Sequence, residues 1–315
     1  MILLVTNQRD LTTDYIVREL KSRGLPYFRL NTENIPQYNC KIGYHHKDDW
    51  SINNLTGSSI TAAYFRRPGL PEPKTTSRGI DVKEYMQTEW QSLLKSIYAR
   101  LDEKWLSSPI DISLAEDKPK QLLLANQIGF NVPDNIITND IKPALELSQT
   151  NSLIVKPLRQ ALLQDEQEKV IFTNRAEGLS EEHTQAVGFS PIIFQQEIKK
   201  KYDVRVTVVG NKVFATAIWS QRHTETSVDW RMGGHCDLKH ELIILPESVN
   251  NQCLQLTKLL NLKFGAIDLI CDKNNKYWFL EINPNGQWAW IENQTQAPIA
   301  RSIVDELVTI SRNIS

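Results

Sequence analysis

The sequence predicts an α/β protein made of α+β lobes, and three observations carry that expectation. The chain opens on a β-α-β pattern, its later part alternates short apolar strands with helix-period segments, and two strand-like runs near the C-terminus flank a tight polar turn. At 315 residues it exceeds what one simple core accommodates, so two or three packed units are expected.

Ile2–Val5 is a short apolar strand, and Thr12 or Thr13 can cap a helix running to about Arg23, which Gly24 closes. Tyr27–Leu30 reads as a second strand and completes a doubly wound opening. A Pro/Gly-rich loop, Pro68 to Gly79, precedes a long amphipathic segment from Asp81 to Trp105. Val82, Tyr85, Met86, Leu93, Leu94, Ile97 and Leu101 recur on it at helical spacing. A fresh start falls near Pro109, where Asp117-Lys118-Pro119 opens a helix carrying Leu122, Leu123, Ala125 and Ile128, ended by Gly129. Strands are expected at Leu153–Lys156, Val170–Thr173, Ile192–Gln196, Val204–Val209 and Val213–Ile218, with Gly210-Asn211 as the hairpin turn between the last two. A helix from about Glu247 to Leu260 follows. The simplest partition is three lobes: 1–112, 113–196 and 197–315.

Composition bounds the partners. The 36 Lys+Arg against 37 Asp+Glu leave a net charge of −1, which argues against a nucleic-acid binder that neutralises phosphates with a basic excess. Cys40, Cys236, Cys253 and Cys271 are scattered, with no CxxC pair, and read as reduced thiols rather than a disulfide frame or zinc site. Met1–Val5 has no basic region before its short apolar run, and no later run approaches about 20 residues. A cytoplasmic protein with no membrane partner is expected.

The most informative stretch runs from Phe264 to Gly286. With Asn274-Asn275 as a two-residue turn, Asp268 lies opposite Glu281, and Asn283 falls on the same face two residues on. The other face holds Ile267, Leu269 and Cys271 against Trp278, Leu280 and Ile282, and should be the core side. Facing carboxylates about 5 Å apart repel unless a cation lies between them. Two carboxylates and an amide oxygen suit Mg²⁺ shared with phosphate oxygens. A solvated polar face, or one protonated carboxyl, is the alternative.

Asp268, Glu281 and Asn283, within Glu-Ile-Asn-Pro-Asn-Gly, resemble the metal-binding end of the ATP-grasp fold. Lys118 before a helix and Lys156 at a strand end match that family's two nucleotide-contacting lysines. Gln195-Gln196-Glu197-Ile198 matches the segment joining its lobes, whose backbone reads adenine; Gln196, Glu197 and Ile198 are thereby implied in cofactor binding. Asp203, seven residues after Gln196, falls where the family has an acidic ribose ligand. The resemblance covers about residues 110–310 and implies an ATP-grasp fold preceded by a Rossmann-like pre-ATP-grasp domain, with ATP and Mg²⁺ as cofactors.

A closer resemblance is to the graspetide (microviridin-type) peptide ligases. It is carried by Tyr64-Phe65-Arg66-Arg67-Pro68, Tyr202 through Gly210, Asp229-Trp230-Arg231 and Phe264 through Glu292. It implies macrocycles on a ribosomally made precursor peptide, joining Asp or Glu carboxyls to Thr/Ser hydroxyls or Lys amines. The precursor's leader would dock and deliver its core, and the enzyme would be a homodimer. One departure stands out: Pro157–Glu168 contains no glycine where the family has a flexible phosphate loop. Arg159 can supply charge there, or Leu158, Leu162 and Leu163 can form an apolar patch for the leader.

A carboxylate is a poor electrophile until γ-phosphoryl transfer makes it an acyl phosphate, so the protein's task is positioning and charge stabilisation. Arg205, Arg222 and Arg231 are candidates to hold the acceptor carboxyl through a planar guanidinium, Arg231 first. Asp229 orients Arg231 or acts as base for the attacking hydroxyl. His235 and His240 read as surface or structural residues, and Trp288 and Trp290 as packing. Arg66-Arg67 are as consistent with a domain interface as with substrate contact. The competing function is an ATP-grasp carboxylate-amine ligase acting on amino acids or a protein terminus; a nucleotide-sensing module with a degenerate site is the non-catalytic one.

Overall fold

Leu3, Leu4 and Val5 are fully buried because their strand, Ile2–Thr6, is central in a parallel sheet, between Tyr27–Asn31 and Ala62–Phe65. Burial on both faces is what requires an unbroken apolar run there. The computed structural model describes residues 1–74, 80–159, 162–164, 168–170, 172–233 and 237–314. The helix after the first strand, Leu11–Ser22, is capped by Asp10, whose carboxylate accepts the Thr12 N–H at 3.2 Å. The expected caps, Thr12 and Thr13, lie buried one turn further in, where the Thr13 hydroxyl donates to Asp10 at 2.6 Å. An Asp at the helix entrance outcompetes threonines already inside it.

The long helix spans Ile80–Arg100, shorter than the expected 81–105. Its C-terminal half buries Leu94 and Ile97, but Val82 and Tyr85 are 37% and 66% exposed. Apolar spacing therefore continues past the point where the helix has a surface to cover. Beyond Arg100 the chain turns, and Trp105 bridges to Ala63. The last helix, Ile299–Ile314, returns to the start: Ile299, Ile303, Val304, Leu307 and Ile310 share one core with Ile2, Leu4, Ile16 and Leu20.

The middle of the chain forms a four-stranded antiparallel sheet in the order Asn174–Arg175, Leu153–Pro157, Ile192–Gln196, Asn135–Thr138. Asn135–Thr138 is a strand beyond those the sequence predicts, and its four residues are all half-buried, with no alternation to mark it. The expected Val170–Thr173 strand is instead Glu168–Val170, paired with Leu162–Gln164. Leu158 is half-buried, and the Leu162 and Leu163 side chains of the suggested apolar patch lie outside the described residues, as do His235 and Cys236.

A five-stranded antiparallel sheet follows: His240–Ile243, Lys212–Ile218, Lys200–Val209, Phe264–Asp272, Tyr277–Asn283. Gly210, at φ 57°, makes the hairpin turn between the Lys200–Val209 and Lys212–Ile218 strands. One face buries Val204, Val206, Val208, Ile267, Leu269 and Cys271 against the helices Lys118–Gln127 and Glu247–Leu259. Asp268 pairs with Glu281 and Ala266 with Asn283, the expected partners, but the loop is not the expected two-residue turn: Asp272 N–H donates to Lys276 O at 2.9 Å, so three residues, 273–275, connect the strands. Between Asp268 and Leu269 the register slips by one, so Leu269 pairs with Phe279 and Leu280 is the extra residue. The core side of the last strand is consequently Tyr277, Phe279 and Ile282; Trp278 and Leu280, expected there, are half-buried. Cys40, Cys253 and Cys271 are free thiols, and no helix among the described residues is long and apolar enough to cross a membrane.

Candidate active site

The slip at Leu280 keeps Asp268, Glu281 and Asn283 on the face away from the core, and that face borders a cleft of about 650 Å³ between the four- and five-stranded sheets. Leu280 joins them in its lining. Lys118, Lys156, Gln196, Glu197, Ile198, Asp203, Asp229 and Arg231 line the same cleft. Arg205 stands directly behind it, paired across the sheet with Asp268.

The carboxylates are neutralised by neighbours already present. Arg205 Nη1 donates to both Asp268 oxygens at 3.0 and 2.9 Å, and Lys118 Nζ lies 3.2 Å from Glu281 while donating to Pro157 O at 3.1 Å. Burial pushes the Asp268 carboxyl up to about 6, with the nearby Glu281 charge adding to it against the pull of Arg205. Burial also works to raise Glu281, but Lys118, Lys156 and Arg231 together hold it down to about 2. Lys156 is lowered to about 8, by removal from water first and then by Lys118 and Arg231. Asn283 Oδ1 accepts the Asn285 N–H at 3.0 Å, which fixes its side chain against the turn.

Asp229 and Arg231 form a two-pronged pair, Nε and Nη2 to the two carboxylate oxygens at 2.8 and 2.7 Å. Burial opposes the Asp229 charge, yet these bonds hold its carboxyl below its ordinary value. A carboxylate so engaged is a weak base, so the geometry favours its orienting Arg231. Asp203 accepts both from Lys200, at 2.8 Å, and from Ser220, which leaves one acceptor position open. Ile198 makes no backbone hydrogen bond among the described residues, whereas the N–H groups of Gln196 and Glu197 are taken by Asp134 O and Ser152 O at 2.8 and 2.7 Å. Arg159 is 90% exposed at the cleft mouth, and Arg222 does not line it.

Gln121 escaped sequence reasoning, whereas the sequence places Gln195 only within the lobe-joining segment and leaves Arg67 with two open alternatives. Gln195 is fully buried, lines the cleft, and has neither amide atom paired among the described residues. Gln121 clamps the end of the last strand, donating to Ile282 O at 2.8 Å and accepting Ile282 N–H at 3.0 Å. Arg67 reaches the cleft from the first sheet. The two alternatives open for Arg66-Arg67 divide between them: Arg66 holds the interface and Arg67 lines the cleft.

Comparison with known proteins places this geometry. A family model described as a RimK-like ATP-grasp domain matches residues 115–307. The macrocyclase MdnC of Microcystis aeruginosa, solved bound with precursor peptide MdnA, is 25% identical, with a TM-score of 0.85 over 98% of this chain and 99% of that one. A Chryseobacterium gregarium RiPP-associated ATP-grasp ligase, solved with ADP and a leader and core peptide, is 25% identical, with a TM-score of 0.86 over 98% and 96%. The macrocyclase MdnB of Microcystis aeruginosa is 27% identical, with a TM-score of 0.78 over 98% of each chain. An uncharacterised Mycoplasma genitalium protein is 32% identical over 100 residues; the chain spans 33% of the length of that curated relative.

Proposed function

The chain belongs to the RimK-like ATP-grasp family, and from that premise we propose that it is an ATP-dependent peptide macrocyclase. It activates Asp or Glu side-chain carboxyls of a ribosomally made precursor peptide and joins them to Thr/Ser hydroxyls or Lys amines. The observation that carries this reading is end-to-end likeness, first lobe included, to two ligases solved with precursor or leader and core peptides.

The donor set fits Mg²⁺: two carboxylates facing each other across a ladder and an amide oxygen on the same face, all hard oxygen ligands. Asp268, Glu281 and Asn283 would hold it, and it would supply charge neutralisation across the phosphate oxygens. Lys118 and Lys156 contribute further positive charge beside those carboxylates. The free donor and acceptor of the Gln195 amide match the N6 and N7 edge of adenine, beside the open backbone of Ile198, and the free acceptor of Asp203 takes a ribose hydroxyl.

In the first step a peptide carboxylate oxygen attacks the γ-phosphorus and ADP leaves, giving an acyl phosphate. In the second a hydroxyl or amine attacks the acyl carbon, phosphate leaves, and the nucleophile's proton is released. Arg231, oriented by Asp229, and Arg205, behind Asp268, stabilise the anionic groups in both. The same reading makes the enzyme a cytoplasmic homodimer, which sedimentation would check. The protein is incubated with MgATP and the short peptide encoded in the neighbouring reading frame, and the peptide is weighed. The expected result is loss of one water per bond formed, with ADP released. An unchanged peptide mass, with free amino acids consumed instead, would replace this function with that of a carboxylate-amine ligase.

A further inference from the structure

Two adjacent arginines follow the Ala62–Phe65 strand and meet opposite fates. Arg66 is 1% exposed, and its donors are occupied: Nε faces Asp10 at 3.3 Å, Nη1 donates to Asn285 O and Gly286 O at 3.0 Å each, and Nη2 to Thr12 at 3.3 Å. It fastens the first sheet to the turn that carries Asn283. Arg67 lines the cleft, and its guanidinium makes no hydrogen bond or ion pair with any described residue.

The backbone of Arg67 sits at φ 42°, in the left-handed region that β-carbons disfavour. Pro68 follows directly and narrows the conformations of the residue before it. Asn7 Nδ2 holds the Arg67 carbonyl at 2.6 Å. Backbone strain that a neighbour maintains, and that delivers an unpaired half-buried cation into a cleft, marks a binding residue.

The other cleft cations narrow the choice of ligand. Lys118 faces Glu281, Lys200 faces Asp203, Arg231 faces Asp229, and Arg159 is exposed. Lys156 and Arg67 have no such partner among the described residues. Lys156 lies within the segment matched as the ATP-grasp domain, whereas Arg67 precedes it and enters from the first sheet. Its ligand is therefore the second substrate. Arg231 is the alternative, but its two-pronged face is already taken by Asp229.

We propose that Arg67 binds the side-chain carboxylate of the peptide that is to be activated, and thereby selects an acidic acceptor. This rests on the ligase reading above. Burial first, then the charges of Arg66 and Arg205, disfavour the Arg67 cation and outweigh the support of Asp10 and Glu116, so a carboxylate beside the guanidinium is favoured.

The test titrates N-acetyl-glutamate N-methylamide, and its glutamine counterpart, into protein loaded with MgAMPPNP, followed by calorimetry. Three proteins are compared: wild type, Arg67→Gly and Arg67→Lys. Glycine removes the guanidinium and relieves the left-handed strain, so Arg67→Gly should melt no lower than wild type. Wild type should prefer the acid by about tenfold or more, Arg67→Gly should lose that preference, and Arg67→Lys should keep part of it. AMPPNP affinity should stay within about twofold in all three. A preference retained in Arg67→Gly would place the carboxylate elsewhere. A matching loss of AMPPNP affinity would make Arg67 a phosphate contact, and a wild type that binds AMPPNP but does not distinguish acid from amide would overturn the proposal directly. Failure of wild type to bind AMPPNP would instead overturn the ligase reading, and the proposal with it.

Discussion

Lys156 shows how one side chain can be set for a polyanion. Burial and the neighbouring cations bring it to about 8, so it is charged below that pH and neutral above it. Nucleotide affinity should therefore be full near pH 7 and decline toward pH 9, by up to about tenfold per unit once the lysine is neutral. Lys156→Arg, charged throughout, should flatten the profile; calorimetric titration across the range reads both, and a wild-type affinity independent of pH would remove Lys156 from the phosphate site. Glu281 makes a second case. Its charge is held by Lys118, Lys156 and Arg231, and it faces Asp268 across the ladder. Glu281→Gln should lower ligation by at least about a hundredfold while the protein still melts cooperatively; retained turnover would exclude Glu281 as a metal ligand. That both acids lie on facing strands could be read from the sequence, but their direct pairing needs the extra residue Leu280 to offset the three-residue loop. Their neutralisation by Arg205 and Lys118 could not be read there, since those residues lie 63 and 163 positions away along the chain.

The turn Asn283–Gly286 is the element on which the site hangs. Asn283 Oδ1 accepts from Asn285 N–H, and Arg66 Nη1 donates to the carbonyls of Asn285 and Gly286. Gly286 packs so closely that a β-carbon there would meet the Ala266 β-carbon at 2.3 Å. Gly286→Ala should thus destabilise the protein by about 1–3 kcal/mol and displace Asn283. Thermal unfolding measures the first effect and Mg²⁺ titration of the nucleotide complex the second; an unaltered melting temperature would show that the turn yields freely. The strand before it teaches a limit of pattern reading. Alternation put Asp268 and Glu281 on facing strands, but one inserted residue, Leu280, reversed the faces beyond it, and Tyr277 and Phe279 took the core places expected of Trp278 and Leu280. A bulge leaves no mark in hydropathy when the run that leads into it, Tyr277 to Leu280, is apolar throughout.

Across the whole molecule, the last helix closes the first sheet. Leu307 is fully buried among Leu4, Ile16 and Leu20, which lie about 290 or more positions earlier in sequence. Leu307→Ala should cost about 2–5 kcal/mol and should also raise hydrogen exchange at the amides of Ile2–Thr6. Protection unchanged in that strand, despite the lower stability, would show that helix and sheet open independently. Arg23 adds a surface tie across the same junction, 2.8 Å from Asp305. This closure holds the Ala62–Phe65 strand, and with it Arg66 and Arg67, in place against the Asn283–Gly286 turn.

The sequence by itself determined the alternation of strands and helices and the two strand-like runs that carry Asp268, Glu281 and Asn283. Each depends on spacing within a few residues, where backbone geometry alone sets which side chains share a face. The tertiary structure decided what lies between distant segments: Asp10 rather than a threonine as first cap, the bulge at Leu280, the occupied fork of Arg231, and the division between a buried Arg66 and a cleft-facing Arg67. Those outcomes turn on which surfaces meet and which donors find partners, and that competition is resolved only when the whole chain has packed.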